Sequence, residues 1–171
     1  GLLIDYEGVS PMASIRALVI AGRNGGNWSG TGITSSAAAG NIRSAVAIAE
    51  LNQLQSLPAA LAGMPLDATA VLVSYTLWGD ANIDGRVDLD DFSRLASGFG
   101  TIGGWTNGDF DYDGMTTLSD FTALASTFGL SASVTAARSS VPEPSTAALL
   151  AACHALASGR RRRSRRNIYG R

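Results

Sequence analysis

"GDANIDGRVDLDDFSRLASGFG", residues 79–100, and "GDFDYDGMTTLSDFTALASTFG", residues 108–129, are one unit written twice, the second copy 29 residues after the first. In register, Asp80 meets Asp109, Asn82 meets Asp111, Asp84 meets Asp113, Gly85 meets Gly114 and Asp91 meets Asp120. With the first aspartate as position 1, acidic or amide side chains stand at positions 1, 3 and 5, glycine at 6 and a carboxylate at 12.

This is the spacing with which a chain curls around a hard cation, and calcium takes six to eight oxygens in that way. Alternate side chains point inward, and glycine permits the sharp turn at the sixth position. Four carboxylates per loop, Asp80, Asp84, Asp88 and Asp91, then Asp109, Asp111, Asp113 and Asp120, repel one another unless a cation joins them. Position 7 ligates through its backbone carbonyl, which lets Arg86 and Met115 differ completely, and position 9, Asp88 or Thr117, acts through water. The expected cofactor is Ca2+, one ion per loop and two in all. Aspartate with glycine often marks only a turn. Two matches in register, each with the same sequel, weigh against that bland reading.

The sequel is Phe92, Leu95, Ala96 and Phe99, matched by Phe121, Leu124, Ala125 and Phe128, at the i, i+3, i+4, i+7 spacing of a helix that stops at Gly100 or Gly129. Each loop feeds an amphipathic helix, and these residues are the expected shared core. A strand precedes the first loop, so the unit is loop then helix.

The duplicated unit resembles the type I dockerin module over residues 79–130. The resemblance implies two antiparallel helices about a pseudo-twofold axis and calcium-dependent docking to a cohesin-like protein partner. It places partner-reading residues at loop positions 10 and 11, here Leu89 with Asp90 and Leu118 with Ser119, where cellulosomal members commonly carry hydroxyl pairs.

Upstream, "GLLIDYEG" reads as a strand and "SPMASIRALVIAG" as a helix with Ser10 as N-cap, Pro11 at the first helical position and Gly22 as terminator. Residues 24–40 show no sustained period and read as a long loop around Trp28. "SAVAIAEL" fits a strand, which is preferred, or a helix continuing into "NQLQSL". "TAVLVSYTL", residues 69–77, is the best strand in the chain. The fold class is therefore α+β: a short β-rich region over 1–78, the paired calcium loop-helix module over 79–130, a linker over 131–140, and a tail over 141–171.

Residues 1–140 carry six arginines against thirteen acids, whereas residues 160–171 carry seven arginines and no acid. The tail runs "VPEPSTAALLAACHALASGRRRRSRR". It is similar to a PEP-CTERM sorting signal, in which Pro142, Glu143 and Pro144 are read by an exosortase-type enzyme. The apolar run then sits in the membrane before processing, and the arginines remain cytoplasmic, in line with the positive-inside bias. Residues 146–158 are short of the ~20 needed to span a bilayer. Without interleaved aromatics or a nucleic-acid fold, no nucleic-acid partner is expected. Cys153 beside His154 has neither the ligand count of a metal site nor the geometry of a nucleophile, and one cysteine builds no internal disulfide.

The combination resembles the carboxy-terminal ends of secreted or surface proteins of planctomycete-type bacteria, and the chain reads as the last part of something longer. The leading expectation is a calcium-binding interaction and anchoring module of an exported, surface-sorted protein, with no catalysis in these residues. Two alternatives stay open: the appendage of a polysaccharide-degrading glycoside hydrolase whose catalytic domain lies elsewhere, and a purely structural calcium clamp.

Overall fold

In the computed structural model, which describes residues 1–55 and 68–132, the stretch densest in strand formers becomes the central strand of the sheet. This strand, β3 (Ala70–Leu77), is flanked by β1 (Leu2–Asp5) and β2 (Ser44–Glu50) in an antiparallel sheet of order β1-β3-β2. Leu3 faces Leu72, and Ile48 faces Val73. With the helices α1 (Met12–Arg23), α2 (Ser36–Ala39), α3 (Leu89–Gly98) and α4 (Leu118–Thr127), the described residues are mixed α+β. "SAVAIAE" is a strand, and six of its seven residues are buried. Burial on both faces explains why it lacks the polar alternation of a half-exposed strand.

Helix α1 begins one residue later than its cap signal suggests. Pro11 is the N-cap, and the Met12 N–H donates to Ser10 Oγ at 3.0 Å. Gly22 does not end the helix, which runs through Arg23 to a left-handed Asn24. Its role is close approach, because a Cβ at Gly22 would lie 1.9 Å from the carbonyl oxygen of Ile33. The segment expected to be a plain loop lies back along α1: the Gly30 N–H donates to the Gly22 carbonyl at 3.0 Å, and the Ile33 N–H to the Leu18 carbonyl at 2.9 Å. Trp28 is buried there, and α2 follows.

The two loop-helix units interlock reciprocally. Gly79, just before the first loop, packs on Leu124 of α4, and Gly108, just before the second, packs on Leu95 of α3, so that a Cβ on either would lie under 3.0 Å from the leucine backbone. Both glycines also have positive φ, 97° and 102°. Gly129 and Leu130 bond to Val87 in the first loop, and Gly100 and Thr101 bond to Thr116 in the second.

The helix faces differ from the expected stripe. The buried positions are Asp91, Leu95 and Gly98 in α3 and Asp120, Ala123, Leu124 and Thr127 in α4. Phe92, Phe99, Phe121 and Phe128 are 38–52% exposed, and Phe92 meets Phe121 edge to face at 6.4 Å. The cause is the aspartate at loop position 12: it must turn inward to reach the loop backbone, which fixes the rotation of the helix it begins. The large apolar core is supplied instead by Trp105, Phe110, Tyr112, Val87 and the two leucines.

The described residues belong to one compact unit, Gly1–Val134, and the junction at 78/79 lies inside it. The sorting motif Pro142, Glu143 and Pro144, with the tail helix expected after it, lies outside the described residues. Among the described residues no helix is long and apolar enough to cross a membrane.

The burial contrast yields a paired expectation for urea unfolding. Leu124→Ala should lower stability by about 2–5 kcal/mol through the cavity it opens, and Phe121→Ala by about 1 kcal/mol. Equal losses would mean that the phenylalanines are core after all.

Candidate metal centre

Loop positions 1 and 12 supply the buried carboxylates of each unit, and the backbone wraps them in matching ways. Asp91 Oδ1 accepts the N–H groups of Ala81 at 2.8 Å and Asn82 at 3.2 Å, and its Oδ2 accepts that of Asp88 at 2.9 Å. Asp120 Oδ1 accepts those of Phe110 at 2.7 Å and Asp111 at 3.2 Å, and its Oδ2 that of Thr117 at 2.9 Å. Asp88 and Thr117, expected to act through water, serve as N-caps of α3 and α4, and each completes a capping box with its position-12 aspartate.

In the second loop Asp109, Asp111 and Asp120 each bring a carboxylate oxygen within 4.8 Å of the others. Asp109 and Asp120 are fully buried. Asp109 Oδ2 accepts the Gly114 N–H at 3.1 Å and a hydrogen bond from Arg16 Nη2 at 2.8 Å. Asp109 Oδ1 is, among the described residues, the buried side-chain oxygen left with no hydrogen-bond partner. Such an orphan is expensive in a protein interior unless something outside the chain meets it. A cluster of hard oxygen donors around it can hold a metal ion.

The first loop repeats the frame with different neighbours. Asp80 Oδ2 accepts the Gly85 N–H at 3.0 Å and the Thr76 hydroxyl, and its Oδ1 accepts the Asp84 N–H at 3.1 Å. Asn82 Oδ1 accepts the Asp84 N–H at 3.0 Å as Asp111 Oδ1 accepts that of Asp113 at 3.0 Å, and Asn82 Nδ2 donates to Asp84 Oδ2 at 3.1 Å. Asp84 and Asp113 lie at the exposed mouths of their loops and accept the N–H groups of Arg86 and Met115, each at 2.8 Å. The ladder bonds of that segment use Gly85 and Val87, or Gly114 and Thr116, and leave the Arg86 and Met115 carbonyls out of the pairing. Leu89 and Leu118 are 69% and 67% exposed in the first helical turns, and the N–H groups of Asp90 and Ser119 donate to the caps.

Four features escaped the sequence. Ile83 and Tyr112, both at loop position 4, take left-handed φ values of 57° and 63° although buried, a conformation that bulky residues rarely adopt. The Tyr112 hydroxyl donates to the Val46 carbonyl of β2 at 2.7 Å. Trp105 Nε1 donates to the Asp80 carbonyl at 2.6 Å. Arg16 and Thr76 reach the position-1 carboxylates from α1 and β3. Arg16 is 93 residues from Asp109 in the chain, a separation no local pattern encodes. The one hint is a cation between the buried Ile15 and Val19, in the middle of a helix whose other cation, Arg23, stands in its last turn. Comparison of the chain with protein-family models, curated proteins and solved structures finds no match.

Burial pushes Asp80 up from 3.8 to about 7; its hydrogen bonds from Thr76 and Gly85 oppose the shift, and the charges of Asp91 and Asp84 add to it. Burial likewise raises Asp91 and Asp120 against their backbone N–H bonds, and Asp109 against Arg16. Between pH 3.8 and about 7 the metal-free folded state holds a proton on Asp80 that the unfolded chain has released, so stability falls as pH rises through that window. Metal-free protein should therefore melt at a lower temperature at pH 7 than at pH 5. A melting temperature that climbs over this interval in chelator would contradict the burial of these carboxyls.

Proposed function

We propose that the paired loops bind two calcium ions and that the chain is a calcium-stabilised, dockerin-like interaction module of an exported, surface-sorted protein. The observation that carries the metal reading is the orphaned Asp109 Oδ1 inside the Asp109, Asp111 and Asp120 cluster. The first loop supports a second ion through Asp80, Asn82, Asp84 and Asp91, whose backbone wrapping matches that of its repeat. Calcium suits these loops better than magnesium. Each offers several carboxylates and the position-7 carbonyl, a donor set for more than the six near-octahedral positions that magnesium prefers.

The docking part of the proposal draws on the exposed apolar side chains of α3 and α4, Leu89, Phe92, Leu118 and Phe121. A cohesin-like protein is the partner that the dockerin resemblance implies. The surface-sorting part rests on the order of residues 142–166 in the sequence alone. A second reading, a structural clamp with no partner, draws on the way Arg16 and Tyr112 tie the second loop to α1 and β2. Pull-down of exported proteins with and without calcium separates the two readings.

Isothermal titration of calcium should give two ions per chain, with Asp84→Ala and Asp113→Ala each removing one. A hundredfold excess over Kd should add about 2.7 kcal/mol of stability per site. Absence of both heat and thermal shift would exclude the metal reading.

A further inference from the structure

The two position-1 aspartates differ in one respect that the repeat itself does not contain. In each loop the outer oxygen, Oδ2, accepts the N–H of the glycine at position 6, at 3.0 Å for Asp80 and 3.1 Å for Asp109. The same oxygen accepts one further donor from outside the repeat: a neutral hydroxyl, Thr76, in the first loop, and a guanidinium, Arg16, in the second. We propose that Arg16 is a tethered counter-cation, which steadies the second loop in the metal-free protein and lowers that loop's affinity for a divalent cation. The inference rests on the metal reading above.

The bond from the position-6 glycine to Oδ2 does not require the positive charge, since the first loop makes it beside a hydroxyl. What Arg16 adds is charge, held in place. It donates to Asp109 Oδ2 at 2.8 Å and to the Tyr112 carbonyl at 3.4 Å, and its guanidinium carbon lies 5.8 Å from the centre of the Tyr112 ring. Its side chain is 30% exposed and Asp109 is fully buried, so solvent screens the pair only in part. In the metal-free state this guanidinium offsets one of the four carboxylates of the loop. A divalent cation entering the cluster meets a fixed positive charge one carboxylate away, and Asp109 must share its charge between the two. Losing a partner one bond removed from a metal usually costs about 10- to 100-fold in affinity, but a cationic partner repels the ion, and for Arg16 the sign reverses.

The two consequences have opposite signs, which separates this role from simple packing. Loss of a merely structural arginine weakens the fold and the site together. Loss of a counter-cation weakens the metal-free fold and tightens the site.

The test uses the full chain carrying Asp84→Ala, so that calcium titrates the second loop alone, compared with the same chain carrying Arg16→Gln or Arg16→Lys. Arg16→Gln should bind calcium about tenfold more tightly and melt at a lower temperature in chelator, and Arg16→Lys should stay near the parent affinity. If Arg16→Gln does not fold in chelator, competition with a calcium-chelating dye, starting from the calcium-loaded protein, reads the affinity directly. Equal or weaker binding by Arg16→Gln would overturn the inference and leave the metal reading standing. No calcium binding by any chain, the unmutated protein included, would overturn the metal reading and the inference with it.

Discussion

Asp91 and Asp120 each close a ring of three backbone N–H donors at the end of a loop and stand in the first turn of the helix that follows. That double duty constrains the module. The carboxylate must point into the loop, so the helix leaves with one rotation, and the residues one and two turns further on, Leu95 with Gly98 and Leu124 with Thr127, are carried inward. The leucines then meet Gly79 and Gly108, which can only be glycine because a side chain would collide with the opposing helix. Loop, helix phase and interhelical contact thus follow from one hydrogen-bonded side chain in each repeat.

The sheet region is part of the same arrangement. Thr76 from β3 and Arg16 from α1 touch the position-1 carboxylates, Trp78 Nε1 donates to the Phe110 carbonyl at 3.3 Å, and the Tyr112 hydroxyl reaches β2. Burial raises all four carboxyls, Asp80, Asp91, Asp109 and Asp120, so protons and the proposed cations would compete for the same oxygens. Because Asp80 also accepts from β3 and Asp109 from α1, the position-1 carboxylates tie the loops to the rest of the unit.

The sequence is legible where the interaction is local or repeated. Asp80 and Asp109 gather their own loop backbones, the strand over residues 70–77 announces itself by composition, and α3 and α4 follow their loops as the repeated apolar spacing predicts. It is illegible where two facts compete. Phe92 and Phe121 satisfy the helical period as well as Leu95 and Leu124 do, and only the inward demand of the neighbouring aspartate decides which are buried. Gly22, Gly30 and Gly32 look like turn formers, yet they are small because a chain lies against α1. Arg16 and Thr76 belong to neither loop, and their own segments do not say which carboxylate each one reaches.

The reciprocity of the pair has an implication for how such a fold can arise. Two kinds of contact between the units are each made twice: glycine before one loop against leucine of the other helix, and residue 8 of one loop against the segment after the other helix. A surface that complements a copy of itself in this way is isologous, the geometry of a twofold homodimer. One unit alone has no partner for its glycine or its leucine, whereas two identical chains would satisfy both. The tandem therefore has the geometry of such a homodimer with its two copies joined in one chain, and Ile83 against Tyr112, with Thr76 against Arg16, mark where the rest of the unit makes the halves unequal.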